Sequence, residues 1–130
     1  MGFIELLRTM RSKPSQKAGR FVLRYVPADG DPVTVGDLEL LDGVWTFKYH
    51  DEYKSRPDLR PIEGFDETDR VYKSTVLFPF FAVRIPDIGR QDVRLRLAQA
   101  KVSDPDTTDL LRIFGRRVVS SPAFELVPVG

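Results

Sequence analysis

Residues 33–50, VTVGDLELLDGVWTFKYH, decide the fold, because two predicted strands and the turn between them lie within this one stretch. After the turn, aromatic residues occupy every second position, at Trp45, Phe47 and Tyr49. A period of two places these side chains on one face of a β-strand. Leu41-Asp42-Gly43 marks the turn, and the residues before it supply the preceding strand. The stretch therefore predicts a β-hairpin with one aromatic face, and Trp45 is expected in the core.

A further strand precedes this hairpin. Phe21, Leu23 and Tyr25 alternate with residues of the opposite face, which again gives a period of two. The turn-forming stretch ADGDP, residues 28–32, connects them to the hairpin. The three strands together predict an antiparallel meander.

Helices and strands are also predicted downstream of the meander. In chain order they are a helical turn at residues 51–54, a strand at 71–78, a helix at 90–101 and a last strand at 123–127. One more helix lies before the last strand: it begins at Asp104 or Asp106, either of which can cap it, and ends at Gly115. The class is therefore α+β, with a mainly antiparallel sheet or small barrel and two or three helices.

Residues 1–19 are set apart from this domain. Apolar residues at positions 3, 6, 7 and 10 share one helical face, and the polar residues 11–19 form a connector. The predicted organisation is an N-terminal helix and connector over residues 1–19, followed by one domain over residues 20–130.

The composition favours a protein of a reducing compartment. The 130 residues contain no cysteine, which excludes disulfides and thiolate zinc sites. No segment resembles a signal peptide, and the longest uncharged apolar run, residues 75–83, is too short to span a bilayer. We expect a cytoplasmic protein without membrane contact.

The net charge of +1 is the sum of unequal blocks. Residues 6–28 carry six basic residues and no acidic one, residues 29–69 carry twelve acidic and four basic residues, and residues 70–101 carry seven basic and two acidic residues. Such blocks either complement each other within one fold or serve different partners. The first interpretation is favoured, because neighbouring elements of small domains often carry opposite charges.

No catalytic constellation is recognisable. His50, the one histidine, is expected to be solvated at a turn, and neither a cysteine nor a G-x-S-x-G serine accompanies it. The phosphate-binding patterns G-x-x-x-x-G-K and G-x-G-x-x-G are missing. The acidic clusters at residues 29–31 and 66–69 lack a calcium-loop pattern and indicate a turn and a solvated loop. The sequence therefore predicts a protein that is not an enzyme and that needs neither a cofactor nor a metal.

The most distinctive segment is LFPFFAVRIP, residues 77–86. It is either a buried strand pair that bends at Pro79 or an apolar edge that docks on a partner, where aromatic residues and arginine are favoured. In an extended strand Phe80 and Phe81 point to opposite faces, so only one of them enters the core. Arg84 is four positions after Phe80, so in an extended strand it would point to the same face and reach a carboxylate of the partner. The candidate partner-binding residues are Phe78, Phe80, Phe81, Arg84, Ile85 and Pro86.

Three patterns occur in order between residues 35 and 127. A strand of the form F-x-Y with a second tyrosine is matched by Phe47-Lys48-Tyr49 and Tyr53, and a paired-phenylalanine segment that ends in proline is matched by residues 80–86. A helix followed by G-R is matched by residues 106–121, DTTDLLRIFGRRVVSS. With these patterns the chain resembles the N-terminal domain of HipA-type serine/threonine kinases, the toxins of bacterial toxin–antitoxin systems.

The resemblance implies a function by binding. Arg117, where the family usually has aspartate, and Ser120-Ser121 depart from the pattern, and the sequence ends at Gly130, before the kinase core of a full HipA-type protein. A stand-alone, HipS-like domain of this kind accompanies a shortened kinase and a helix-turn-helix DNA-binding protein in tripartite systems, where it can act as the antitoxin. The expected function is accordingly that of a non-catalytic antitoxin or regulator. The expected partners are a shortened HipA-like kinase core and such a DNA-binding protein.

The alternative is a module that binds nucleic acid or a nucleoprotein complex through the basic N-terminal segment. Arg20-Phe21 and Arg24-Tyr25 interleave basic and aromatic residues, as strands that bind nucleic acid do. The two aromatic residues share a strand face with Leu23, however, which favours packing in the core. Direct binding of nucleic acid is expected to be weak or absent.

Overall fold

The computed structural model describes residues 17–129, so the helix predicted around residues 3–10 and most of the connector lie outside the described residues. The elements in chain order are β1 (Gly19–Tyr25), β2 (Val33–Leu41), β3 (Val44–Tyr49), α1 (Asp51–Lys54), β4 (Tyr72–Ser74), α2 (Pro79–Ala82), α3 (Gln91–Gln99), α4 (Thr107–Phe114) and β5 (Phe124–Pro128). The α+β class with an antiparallel sheet is confirmed, and the sheet is open rather than closed into a barrel. The described residues form four helices, where two or three were predicted.

All five strands belong to one antiparallel sheet in the order β4-β3-β2-β1-β5. β1, β2 and β3 form the predicted meander, which is confirmed. Asp42 and Gly43 connect β2 to β3 with φ angles of 51° and 77°. Positive φ at both central residues is the geometry of the type I′ hairpin turn, which asparagine or aspartate followed by glycine favours. The edges of the sheet are β4, with three residues, and β5.

β2 changes its alternation halfway along. The buried apolar positions are odd-numbered before Gly36 and even-numbered after it: Val33, Val35, Leu38 and Leu40. A β-bulge at Val35 produces this change, because Val35 has no register partner in β1. A Cβ atom at Gly36 would lie 2.4 Å from the carbonyl oxygen of Lys48, so only glycine fits this close approach of two strands.

One face of the sheet carries the main core. Trp45, Phe47 and Tyr49 are 3%, 0% and 2% exposed, which confirms the predicted aromatic face and the place of Trp45 in the core. The Tyr49 hydroxyl accepts a hydrogen bond from the amide of Ile62 (2.9 Å) and donates one to the carbonyl oxygen of Phe65 (2.6 Å). These bonds hold the acidic loop after α1 against the sheet. Burial raises the pKa of this hydroxyl to about 12.

The strand predicted over residues 71–78 is wrong for most of its length, because β4 contains only Tyr72–Ser74. Pro79 then begins α2. Proline suits this position because its fixed φ is helical and its missing N–H would have no partner in the first turn. The extended arrangement predicted for Phe80 and Phe81 is therefore also wrong, since both lie on one helical turn.

The two longer helices are confirmed, and the start of α4 is well fixed. The Asp106 side chain accepts a hydrogen bond from the Asp109 amide (2.9 Å), and the Asp109 side chain accepts one from the Asp106 amide (3.2 Å), which completes a capping box. Lys17 binds the same two residues, through its amide to Asp106 (2.9 Å) and through its ammonium group to Asp109 (3.0 Å). The residues that lead into β1 are thereby attached to α4.

Candidate partner-binding surface

α2 places its two phenylalanines in different surroundings. Phe81 is 0% exposed, and its ring centroid lies 5.5 Å from that of Phe47 and 6.0 Å from that of Phe65. Phe80 is only partly buried, and its ring meets those of Phe81 and Phe124 edge-on at 5.2 Å and 5.8 Å. A helical turn therefore separates a core phenylalanine from one that lies at the surface.

A groove of about 590 Å³ lies beside Phe80. Val83 follows Phe80 by three residues, which places both on one side of the turn, and Val83 is 58% exposed. We call this feature the aromatic groove; its lining residues are Glu63, Gly64, Phe65, Phe78, Pro79, Phe80, Val83, Ser120 and Ser121. Concave surface with aromatic and aliphatic side chains is typical of the centres of protein interfaces.

Arg84 does not reach the surface as predicted. It is 3% exposed, and its guanidinium group donates to the carbonyl oxygens of Gly115 (3.0 Å), Arg116 (3.1 Å) and Phe124 (3.2 Å). The prediction was wrong because the chain turns as a helix here, which directs the side chain inward. Burial lowers the Arg84 pKa to about 10, which still leaves the group charged at neutral pH. Arg84 therefore attaches the loop of residues 115–124 to the end of α2.

Two of the six candidate residues, Phe78 and Phe80, line the aromatic groove. Phe81 and Arg84 are buried, whereas Ile85 and Pro86 are partly buried outside the groove. Ile85 packs against both the main core and a smaller cluster formed by Val93, Leu97 and Leu110. Val83 was not among the surface residues predicted from the sequence. Its spacing of three from Phe80 is the signal that would have found it, once α2 is taken as a helix.

An arginine cluster surrounds Glu125, which is 4% exposed in β5. Its carboxylate accepts hydrogen bonds from Arg24 (3.3 Å) in the neighbouring strand and from Arg116 (2.9 Å) and Arg117 (3.1 Å) in the loop after α4. Arg117, the departure from the family pattern, is thus paired within the fold. This cluster was not predicted from the sequence, because its members lie in three separate segments and meet only in the folded domain.

A second groove, of about 680 Å³, lies at α3. Its lining residues are Ile88, Gly89, Arg94, Leu97, Ala98, Lys101, Val102, Ser103 and Pro105. It shares none of them with the aromatic groove. Its polar lining includes two basic residues, Arg94 and Lys101, whereas that of the aromatic groove consists of a glutamate and two serines.

The basic block near the start of the chain is balanced by acidic side chains wherever the structure describes it. The pairs are Lys17 with Asp109 (3.0 Å), Arg20 with Glu39 (3.8 Å) and Arg24 with Glu125 (3.3 Å). Phe21 is 1% exposed, and the Tyr25 ring packs on Phe124 at 5.3 Å, so the predicted core packing is confirmed. Of these pairs only that of Arg20 with Glu39 joins the basic block to the acidic block of residues 29–69, since Asp109 and Glu125 lie beyond the three blocks. Arg8, Arg11 and Lys13 lie outside the described residues.

Residues 17–129 contain no group of three His, Cys, Asp or Glu side chains placed to hold a metal ion. No helix in the same part of the chain is long and apolar enough to cross a membrane. His50 is exposed where β3 ends, as the sequence predicted.

A family model described as the HipA N-terminal domain matches residues 29–120. The match begins just before β2 and ends just before β5, so it includes every lining residue of the aromatic groove except Ser121. No curated protein and no solved structure gave a significant match. The matched part is 92 of the 130 residues, and the order of its motifs is the one by which the sequence resembles HipA-type proteins. The chain therefore belongs to the HipA N-terminal domain family, a family of toxin-related domains.

Proposed function

We propose that this domain is a non-catalytic regulator that binds a HipA-type kinase core through the aromatic groove and acts as its antitoxin. The observation that carries the proposal is the groove itself, in which Phe80 is partly exposed and Val83 is 58% exposed on one side of a single turn. When a partner buries apolar surface of this kind, the release of its water lowers the free energy of the complex.

Two further features support a protein partner. The groove belongs to the region that the family model matches, and the family takes its name from a domain of HipA-type proteins. Phe81 anchors α2 in the core, and the hydrogen bonds of Arg84 fix its C-terminal end. Binding a partner therefore need not cost further entropy for ordering this turn. The proposal also places the domain in the cytoplasm, in a complex that includes a helix-turn-helix DNA-binding protein.

The proposal requires that the domain itself performs no phosphotransfer. Its sequence has no glycine-rich phosphate-binding pattern that would hold the phosphates of ATP. Calorimetric titration with ATP and magnesium should therefore show no binding, and stoichiometric binding of the nucleotide would contradict the non-catalytic part of the proposal.

The decisive test is Val83→Asp in a co-expression assay with a HipA-type kinase core from the same genome. A carboxylate at this exposed position leaves the core intact but opposes burial of the groove by the partner. We expect the kinase to be bound at least about thirtyfold more weakly, which corresponds to about 2 kcal/mol, and its toxicity to return. Titration calorimetry on the purified proteins measures the affinity directly.

Val76→Asp is the matched control, because Val76 is 71% exposed, undergoes the same change and does not line the groove. Phe81→Ala tests a buried residue of the same turn: loss of this core ring should reduce the free energy of unfolding by about 3–5 kcal/mol. The antitoxin proposal is to be dropped if Val83→Asp still restrains the kinase, or if no HipA-type kinase is encoded with this domain.

A further inference from the structure

We propose that Arg116 and Arg117 extend the docking surface around the β5 edge and bind a carboxylate group of the kinase, across that edge from the apolar residues that fill the aromatic groove. This inference rests on the proposed function. It adds the chemistry of the partner's segment: an apolar anchor followed or preceded by an acidic side chain.

The first argument is the excess of positive charge. Glu125 supplies one negative charge to three guanidinium groups, so the arginine cluster keeps an excess of two positive charges. Arg84 adds a buried positive charge that bonds only to carbonyl oxygens, one of them that of Arg116. An excess of this size, partly withdrawn from water, favours an added anion.

The second argument is the supply of free donors. Arg116 uses its Nε atom and Arg117 uses one terminal nitrogen to bind the same oxygen of Glu125, while the other oxygen accepts from Arg24. A guanidinium group has five N–H donors. Both side chains are 59% exposed, so donors that Glu125 does not use face the surface. Paired donors of this kind match the two oxygens of a carboxylate.

The third argument is continuity with the aromatic groove. Ser120 and Ser121 line the groove and follow Arg117 by only three and four residues. The Phe124 ring contacts Phe80 of the groove, whereas Glu125, the next residue in β5, points to the opposite face of the sheet, so the arginine cluster lies across the β5 edge from the groove. A partner that covers the groove and continues around the β5 edge therefore reaches the two arginines.

The test compares Arg117→Gln with wild-type protein in calorimetric titrations of the HipA-type kinase core at low and high salt. Glu125 keeps Arg24 and Arg116 as partners in this variant, so the domain should stay folded, which thermal unfolding checks. We expect roughly tenfold weaker binding at low salt, and a smaller difference at high salt because ions screen the lost attraction. Arg20→Gln is the control, with the same loss of charge at an exposed side chain paired to Glu39.

The outcomes separate the two proposals. If Arg117→Gln binds the kinase as wild type does while Val83→Asp does not, the carboxylate contact is wrong and the docking groove stands. If neither the wild-type protein nor any variant binds the kinase, both proposals are wrong. If Arg117→Gln instead loses affinity for duplex DNA in a gel-shift titration and keeps its affinity for the kinase, the cluster binds phosphate groups of nucleic acid and the inference is overturned.

Discussion

At Tyr49 a single hydroxyl group joins the sheet to the loop after α1. It accepts from the Ile62 amide and donates to the Phe65 carbonyl oxygen, both at buried positions. Phe65 in turn packs on Phe47 and Phe81, at ring distances of 4.6 Å and 6.0 Å. The position of one side of the aromatic groove, where Phe65 lies, therefore depends on this hydroxyl group.

Tyr49→Phe should reduce the free energy of unfolding by about 1–3 kcal/mol at neutral pH, because a buried amide and a buried carbonyl group lose their partner. The Tyr49 pKa is raised from 10 in the unfolded chain to about 12 in the domain. Below pH 10 the phenol is protonated in both states, so its contribution is complete. Between pH 10 and 12 the unfolded chain ionises first, and the contribution of the hydroxyl is progressively lost. Urea unfolding of both proteins should show their difference shrinking over this range; a constant difference would contradict the role given to this bond.

Among the elements, those with a clear period could be predicted from the sequence. The meander follows from apolar residues at every second position, and α4 follows from its apolar stripe between Asp106 and Gly115. The β2 bulge was missed, although the shift from odd to even apolar positions around Gly36 signals it. α2 could not be distinguished from a strand, because a run of four apolar residues after Pro79 fits either period.

Arg84 shows how one element fixes another, and Arg84→Met tests it. Methionine keeps an apolar stem in the buried space but supplies no donor to the carbonyl groups of Gly115, Arg116 and Phe124. We expect the loop of residues 115–124 to open more often. Hydrogen exchange should then accelerate at the Leu126 amide, which donates to Arg116 (2.9 Å).

Arg90→Met is the control for this change, since Arg90 is an exposed arginine whose one salt bridge within residues 17–129 is to Asp92. The assignment of Arg84 as the attachment of this loop is wrong if exchange at Leu126 is as slow in Arg84→Met as in the wild type.

On the scale of the whole molecule, the sequence predicted that opposite charges would pair within the fold, but it did not predict which segments pair or the arginine cluster. Opposite blocks along the chain predict complementary charges, but of the described pairs of Lys17, Arg20 and Arg24 only that of Arg20 with Glu39 joins two blocks. The excess of positive charge in the arginine cluster depends on contacts between residues about a hundred positions apart, such as Arg24 and Glu125. No local sequence pattern predicts such contacts.

Lys17, Arg20 and Arg24 of the basic N-terminal block are already paired with acidic side chains. Binding of duplex DNA should therefore be weak and independent of sequence, with a dissociation constant of about 1 µM or higher at physiological salt. Gel-shift or fluorescence titrations should show affinity that falls log-linearly with salt concentration. A tight, sequence-selective complex of this protein alone with DNA would favour the nucleic-acid module over the kinase regulator.

The sheet order has a consequence for the synthesis of this protein. β5 lies against β1, and the paired residues Arg24 and Glu125 are 101 positions apart. A ribosome that adds about 5–20 residues per second needs roughly 5–20 s to make the intervening chain. During that interval one edge of β1 has no neighbouring strand, while the meander on its other side can already form. Nascent chains stalled before Phe124 should accordingly be cut by protease more readily than released, complete chains.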